Sequence, residues 1–196
     1  MNPAVSAETR IAPLEAPFTP EVQASLDGMM GRRSERPPLA LFRTLLRNFE
    51  AGDRIRPLGS YFLVKGTLDP RDRELVIHRV TARCGAEYEW GVHAEIFARA
   101  ALGMADGWID ATATASAEDS SWDERESLLI RFVDELHDTS NVSDETWAAM
   151  TGYWNVEQLL ELLMLAGWYH LISFVANGAR VPLEPWARRF PAAAGL

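Results

Sequence analysis

The chain has 196 residues, of which 47% are hydrophobic and 24% are charged. This balance is typical of a globular protein that is long enough to bury a full core. The formal net charge of −9 argues against nucleic acid or an anionic membrane surface as the main partner. The single cysteine excludes an internal disulfide and fits a reducing cytoplasm. The N-terminus has neither a basic start nor an apolar run, so no signal peptide is expected.

Prolines mark the first part of the chain. Residues 1–18 contain three of them and are expected to form an extended arm, followed by a single domain over residues 19–196. Thr19 and Pro20 are residue types typical of a helix N-cap and of the first helical position. Apolar residues at helical spacing then predict a helix over residues 39–49.

The next helices are predicted from apolar periodicity and from their end signals. One helix is expected over residues 55–64. Asp69 and the proline after it are typical of a helix start, and Gly85 is expected to end that helix. Another helix is predicted over residues 86–102.

The second half of the chain shows similar signals. Ser121 and Glu124 have the spacing of a capping box, as do Asn155 and Gln158. Ser143 is expected to begin a short helix between the two helices that these boxes predict.

Residues 159–176 are almost entirely apolar and long enough to suggest a membrane span. Glu161 and His170 interrupt the run, so we expect a buried core helix and no membrane. No segment shows the sustained alternation of a half-buried strand. The sequence therefore predicts an all-α domain of about eight helices.

Among the ionisable side chains of residues 74–93, three are singled out as a possible site: Glu74, Glu89 and His93. Glu89 and His93 are four residues apart and would share one helix face, and the segment with Glu74 could fold back toward them. A carboxylate beside an imidazole can transfer protons near neutral pH. The alternatives are an ordinary Glu–His pair on a solvated face and, for Glu74, a first-turn carboxylate that stabilises its helix.

These residues resemble the core motif of the carboxymuconolactone decarboxylase and alkyl hydroperoxidase D superfamily. Its peroxidase branch has the pattern Glu, eleven residues, Cys, two residues, Cys, three residues, His. Counted from Glu74, the pattern falls on Ala86, Glu89 and His93, so both redox cysteines are replaced. The resemblance covers about residues 35–186.

The resemblance implies an AhpD-like helical fold, assembly as a homo-oligomer, and an enzyme without cofactor or metal. It implies that His93 is the general acid or base, that Glu89 orients it or handles a second proton, and that Glu74 belongs to a proton relay. The predicted function is that of a lyase similar to 4-carboxymuconolactone decarboxylase. Its substrate would be a small lactone or keto acid from the breakdown of aromatic compounds, and no nucleic-acid partner is expected.

Three neighbouring residues, Cys84, Tyr88 and Trp90, are candidates for the substrate pocket. Cys84 could be a small buried hydrophobe or a thiol whose pKa is lowered near a helix start. Tyr88 and Trp90 could line the pocket or fill the core. The aromatic residues 168–170 are expected to be core or interface residues.

His78 follows Glu74 by four residues, so it could complete a metal site with Glu89 and His93. Packing or solvation of His78 is the favoured interpretation. Other functions stay open: another cofactor-free lyase, isomerase or hydrolase, an alkyl hydroperoxidase D-like peroxidase, or a non-catalytic protein. The loss of both redox cysteines disfavours the peroxidase.

Overall fold

The computed structural model describes residues 8–31 and 36–192. Within these ranges the chain forms nine α-helices and one π-helical segment, and no strand. The all-α prediction is thus confirmed. The α-helices are α1 (Pro20–Met30), α2 (Ala40–Leu45), α3 (Phe49–Val64), α4 (Pro70–Arg83), α5 (Glu87–His93), α6 (Asp106–Thr114), α7 (Glu124–Thr139), α8 (Asp144–Met150) and α9 (Val156–Ala179). The π-helical segment Ala94–Ala101 continues α5 directly.

The described part of the N-terminal arm, residues 8–18, has no helix. It is fixed to the helical body because the Ile11 amide donates to the carbonyl of Ala179 over 3.1 Å and Arg43 donates to the carbonyl of Leu14 over 2.8 Å. Residues 1–7 lie outside the described residues. The assignment of residues 19–196 to one domain stays a prediction.

The helix starts in the first half agree with the sequence in part. The Thr19 hydroxyl accepts from the amide of Val22 and caps α1 as predicted. The helix predicted over residues 39–49 is divided, because the Asn48 side chain accepts from the amide of Ala51 and starts α3 there. Consequently α3 begins earlier than the helix predicted from residue 55.

The capping box of α7 was predicted two residues too early. Asp123 and Glu126 form it, instead of Ser121 and Glu124. Both pairs have the same spacing and suitable side chains, so the sequence pattern alone does not separate them. Ser143 caps α8 as predicted.

Helix α4 lies at the centre of the fold. Every residue from 74 to 82 is buried, and the helix packs against α5, α6, α7 and α9. A helix that is buried on all sides carries its polar side chains into the interior, where each needs a partner. Glu74, His78 and Arg79 are such residues.

The long helix α9 packs against α4, and Asn155 and Gln158 form its capping box as predicted. By length and composition α9 could cross a membrane, since its most apolar 18-residue stretch has a mean hydropathy of 1.6. Half of that stretch is buried inside the protein, as in the core helix of a globular protein. The helix ends at Arg180, which has a left-handed backbone. Its outward side exposes a stripe of apolar residues: Val156, Leu160, Met164, Leu171 and Phe174.

The C-terminal segment 181–192 packs against α5. The Tyr88 hydroxyl donates to the carboxylate of Glu184 over 2.8 Å. Gly91 lies so close to the carbonyl oxygen of Arg188 that a Cβ atom would clash with it. Only glycine permits this approach of two backbones.

Candidate active site

An apolar cavity of about 560 Å³ lies beside α5. This volume is within the usual range for small-molecule sites. Its walls come from α1, α2, α3, α5, the π-helical segment and α9, and apolar side chains dominate them. The polar groups among the described lining residues are few: Arg36, Arg56, Ser60, Glu89, His93 and Tyr169.

His93 is the centre of a hydrogen-bonded group at one wall of this cavity. Its Nδ1 lies 2.9 Å from Oε2 of Glu74, and its Nε2 lies 3.0 Å from the hydroxyl of Tyr169. Oε2 of Glu89 is 3.8 Å from the same Nε2. The structure therefore brings together the three residues singled out in the sequence and adds Tyr169. They come from three helices, α4, α5 and α9.

Glu74 lies behind His93, wholly buried and outside the cavity lining. Its second oxygen accepts from Nε of Arg73 over 3.1 Å. Burial acts to raise the pKa of Glu74, but the charge and hydrogen bond of His93 and the charges of His78 and Arg73 outweigh burial and hold it below its ordinary value. The carboxylate stays ionised and can only accept hydrogen bonds.

Glu89 lines the cavity and shows the opposite shift. Burial raises its pKa, and the charge of His93 opposes this shift without cancelling it. Burial penalises the ionised carboxyl, so Glu89 holds its proton to a higher pH than Glu74 does. The two carboxyl groups beside one imidazole thus differ in their affinity for a proton.

Tyr169 completes the group from α9. Burial raises the pKa of this phenol well above its ordinary value, and the charges of Glu89 and Glu74 act in the same direction. The phenol therefore keeps its proton and can donate it to Nε2 of His93. That leaves the ring proton on Nδ1, where it is donated to Glu74. Phe97 stacks on the His93 ring with centroids 4.7 Å apart.

The segment around these residues matches a known family. Residues 51–132 match the carboxymuconolactone decarboxylase family. Glu74, Glu89 and His93 lie inside this segment, whereas Tyr169 lies beyond it. No curated protein sequence matches the chain.

Solved structures share the fold. The debrominase Bmp8 without ligand aligns with a TM-score of 0.74 at 13% identity, covering 91% of this chain and 94% of that one. A cysteine-to-alanine variant of Bmp8 in complex with 2,3,4-tribromopyrrole gives 0.75 at 13% identity, covering 92% and 94%. An uncharacterized peroxidase-related protein from Silicibacter sp. TM1040 gives 0.75 at 12% identity, covering 91% and 95%. At these identities the similarity shows the fold alone.

The carboxymuconolactone decarboxylase family segment also holds His78, which packs next to the site. Its Nδ1 lies 2.7 Å from the main-chain carbonyl of Glu74, and its ring meets the edge of the His93 ring at 6.3 Å. Burial lowers the pKa of His78 to about 4, so it is neutral at neutral pH. With Nδ1 bonded to the carbonyl, His78 supports the backbone at Glu74 and does not face the cavity.

Tyr88 and Trp90, predicted to belong to the substrate pocket, do not line this cavity. Tyr88 donates to Glu184, and the indole Nε1 of Trp90 donates to Thr112 over 2.9 Å. Successive residues of a helix point about 100° apart, so the neighbours of Glu89 in sequence face away from it. The spacing of four between Glu89 and His93 was the informative signal.

Cys84, the third pocket candidate, also lies outside the cavity lining. It caps the C-terminal end of α4, and its carbonyl accepts from the side chain of Asn177 over 2.8 Å. Burial raises the pKa of its thiol, and nearby Ser173 and Arg83 only oppose this shift. The alternative of a thiol activated near a helix start is wrong, because Cys84 lies at a helix end and its pKa moves upward.

Two arginines reach the cavity. Nε of Arg56 pairs with Asp53 over 3.2 Å, and the guanidinium of Arg36 stacks on Trp186 at 4.1 Å from the ring centroid. The sequence offered no signal for them, because both lie far from the motif along the chain.

Proposed function

We propose that this protein is an acid/base enzyme that transfers protons to and from a small organic substrate bound beside His93. The observation that carries the proposal is the pair of carboxyl groups, Glu74 and Glu89, whose pKa values move in opposite directions on either side of one imidazole. Such divergence is typical of sites in which one group holds a proton and another accepts it.

Glu74 and His93 form the basic half of the proposed mechanism. The ionised Glu74 fixes the His93 proton on Nδ1 and stabilises the imidazolium that forms when Nε2 takes up a second proton. Nε2 is the atom that faces Tyr169 and Glu89 at the cavity wall. Proton transfer to or from the substrate therefore takes place at Nε2, with Glu74 acting through the ring.

Glu89 and Tyr169 form the acidic half. Burial raises the pKa of both groups, which favours their protonated forms. Protonated Glu89 can donate a hydrogen bond to an oxyanion that develops on the substrate, and the Tyr169 hydroxyl can do so once Nε2 of His93 is protonated and no longer accepts from it. Donors fixed in an apolar cavity stabilise such charge more strongly than water does, because they need no reorganisation. Glu89 can also deliver its proton to a substrate carbon and recover it through His93.

The reaction that we favour is the decarboxylation of a small lactone or keto acid, as in the family's namesake. The bond between the substrate carbon and its carboxylate breaks, carbon dioxide leaves, and the electron pair moves into a conjugated carbonyl. One proton, from Glu89 or His93, then neutralises the resulting enolate, and solvent restores it. Arg36 and Arg56 are the cations at the cavity that can hold the substrate carboxylate.

A dithiol peroxidase fits the structure less well. Cys84 lies outside the cavity lining, and burial raises its pKa, which lowers the thiolate fraction that such chemistry needs. An isomerase or hydrolase that uses the same proton transfers at His93 remains an alternative outcome of the test.

The test is a screen of small lactones and keto acids for carbon dioxide release or an ultraviolet change, without added cofactor. Each compound is also incubated in deuterated water, because reversible proton transfer at carbon incorporates deuterium even when no bond is cleaved. Turnover that is lost in His93→Gln and kept in Cys84→Ala supports the proposal. Turnover that survives His93→Gln would refute it. Deuterium incorporation without carbon dioxide would assign an isomerase.

A further inference from the structure

A second cluster of reactive side chains lies outside the cavity. Cys84 at the end of α4, His137 in the last turn of α7 and His170 in the middle of α9 meet where these three helices pack. One ligand atom from each, the thiol sulfur and one nitrogen from each ring, lies within 4.8 Å of the other two. All three side chains are partly exposed, so an ion from solvent can reach them.

We propose that Cys84, His137 and His170 form a binding site for a divalent metal ion of the zinc type. A thiolate and two imidazoles are the donor set that Zn²⁺ and its spectroscopic substitute Co²⁺ prefer over oxygen-only sites. Among the residues that the structure describes, Cys84, His137 and His170 are the one set of three His, Cys, Asp or Glu side chains whose ligand atoms lie close enough to share a metal ion. The metal set considered from the sequence, around Glu74 and His78, is a different one.

The separation of the nitrogens suits tetrahedral coordination. Nδ1 of His137 and Nε2 of His170 are 3.1 Å apart, and their rings are nearly parallel. Two nitrogens that bind one Zn²⁺ ion at its usual bond length are separated by about 3.3 Å. The cluster thus needs only a small adjustment to hold an ion, and the competing interpretation is a plain hydrogen bond between two neutral rings.

Ser173 provides a second observation at the same place. It lies one turn after His170 on α9, its side chain is wholly buried, and it acts on the Cys84 thiol. Its hydroxyl has no hydrogen-bond partner of ordinary geometry among the described residues. A buried hydroxyl beside a thiolate can donate to the sulfur, which is how outer groups commonly hold a metal ligand.

The charged groups beside the cluster balance one another. Nε of Arg83 lies 3.5 Å from Asp134, and its terminal nitrogen donates to Asp138. Asp134 also pairs with Arg79 over 2.6 Å, so two carboxylates compensate two guanidiniums. A divalent ion that binds a thiolate would add only one further positive charge.

Such an ion would join the helices that build the acid/base site. Helix α4 also carries Glu74, and Tyr169 directly precedes His170 on α9. None of the three proposed ligands lines the cavity. We therefore assign the ion a role in fixing these helices and not in the chemistry of the substrate.

The test is a titration of untagged, metal-free protein with Co²⁺, followed by absorption spectroscopy. The expected result is one equivalent bound, with the thiolate-to-cobalt charge-transfer band and the intense visible bands of a four-coordinate centre. Cys84→Ser should abolish the charge-transfer band, and His137→Gln and His170→Gln should each weaken binding at least tenfold. His93→Gln, at the other histidine cluster, is the matched control and should bind Co²⁺ as the wild type does.

Zinc added to the metal-free wild type should raise Tm, and a chelator should reverse the change. X-ray absorption at the zinc edge of the wild type alone should show one sulfur and two imidazole neighbours, a result that does not depend on the folding of any variant. A six-coordinate, oxygen-rich spectrum, or a charge-transfer band that persists in Cys84→Ser, would overturn the proposal. Loss of binding in His93→Gln would move the metal to the acid/base site.

Discussion

The two histidine clusters use similar side chains in different surroundings. His93 is only 4% exposed, with a buried carboxylate on one ring nitrogen and a phenol on the other. His137 and His170 are partly exposed and face a thiol. A carboxylate fixes the proton of a buried ring, whereas a thiol beside two imidazole nitrogens 3.1 Å apart is the arrangement on which we base the proposed metal site. The partners and the burial of an imidazole therefore decide its chemistry more than its presence does.

The largest expected effect is on the turnover rate, which should depend on the His93 cluster and not on the Cys84 cluster. General acid–base catalysis typically supplies about 10²–10⁴-fold, so His93→Gln should lower turnover of an identified substrate by that factor. Cys84→Ala should cost little turnover, because its thiol does not line the cavity. Steady-state kinetics with circular dichroism as a folding control measure both. Equal and small losses would place the chemistry elsewhere in the protein.

The next effect concerns stability and separates the two carboxyl groups. Glu74→Gln replaces one of the two accepting oxygens with an NH2 donor, so either Arg73 or His93 loses its acceptor, and the fold should be destabilised by about 1–3 kcal/mol at neutral pH. Glu89→Gln should leave stability unchanged or raise it, because burial already penalises the ionised form. Urea denaturation of both variants at the same pH measures the difference.

The same pair predicts opposite pH dependence. The folded-state pKa of Glu74 lies below its ordinary value of 4.5, so its contribution to stability is present above that value and is lost as pH falls through the folded pKa. The folded-state pKa of Glu89 lies above 4.5, so its contribution is present below that value and is lost as pH rises through the folded pKa. The free energy of unfolding should be measured by urea denaturation across pH 3–8. The decrease in stability toward low pH should become smaller in Glu74→Gln, and the decrease toward high pH should become smaller in Glu89→Gln. Identical curves for both variants would contradict the opposite shifts.

A fourth prediction concerns assembly and compares the surroundings of the two clusters. The apolar stripe on α9 is expected to be covered in a homo-oligomer, because exposed apolar surface of this kind favours association. Phe174 belongs to the stripe and its ring lies 5.8 Å from that of His170, so the interface would adjoin the second cluster and not the first. Light scattering should give at least twice 21.9 kDa.

The matched control for assembly is a pair of charge insertions. Phe174→Glu should shift the mass toward the monomer, whereas Val64→Glu, at an exposed apolar residue outside α9, should not. A wild-type monomer at micromolar concentration would refute the prediction.

The smallest expected effect concerns redox chemistry. The protein should show little reduction of hydroperoxides with a dithiol donor, and Cys84→Ser should leave that background unchanged, because one cysteine cannot form the internal disulfide of the exchange cycle. A coupled peroxidase assay measures it. Robust turnover that disappears in Cys84→Ser would make the second cluster the reactive one and reverse the comparison.

Sequence patterns could predict the parts of the fold that depend on local signals. The start of α4 at Asp69, the capping box at Asn155 and the shared face of Glu89 and His93 all follow from residue type and spacing over a few positions. The choice between Ser121 and Asp123 as the cap of α7 depends on how the whole helix packs, and no local signal separates them.

Contacts between residues that are far apart in the chain could not be predicted from the sequence. The Tyr169 hydroxyl is hydrogen-bonded to His93, which is 76 residues away in the chain. Tyr169 lies in an apolar run, where an aromatic residue is expected to belong to the core. His137 and His170 likewise meet only because α7 and α9 both pack on α4. A sequence shows which residues are present but not which distant residues lie close together. It could therefore suggest Glu74, Glu89 and His93, but it could not group Cys84, His137 and His170.

The contact of Gly91 with the C-terminal segment has a consequence for how much of the chain the site requires. The helix that carries Glu89 and His93 is held from behind by main-chain and side-chain bonds, including that from the amide of Phe190 to Glu87 over 2.9 Å. Those C-terminal residues lie well outside residues 51–132, the segment that matches the family. We therefore expect the proposed activity to need more of the chain than the matched segment. A chain that ends before residue 181 would keep Glu74, Glu89 and His93 but lose the contacts that hold α5 in place.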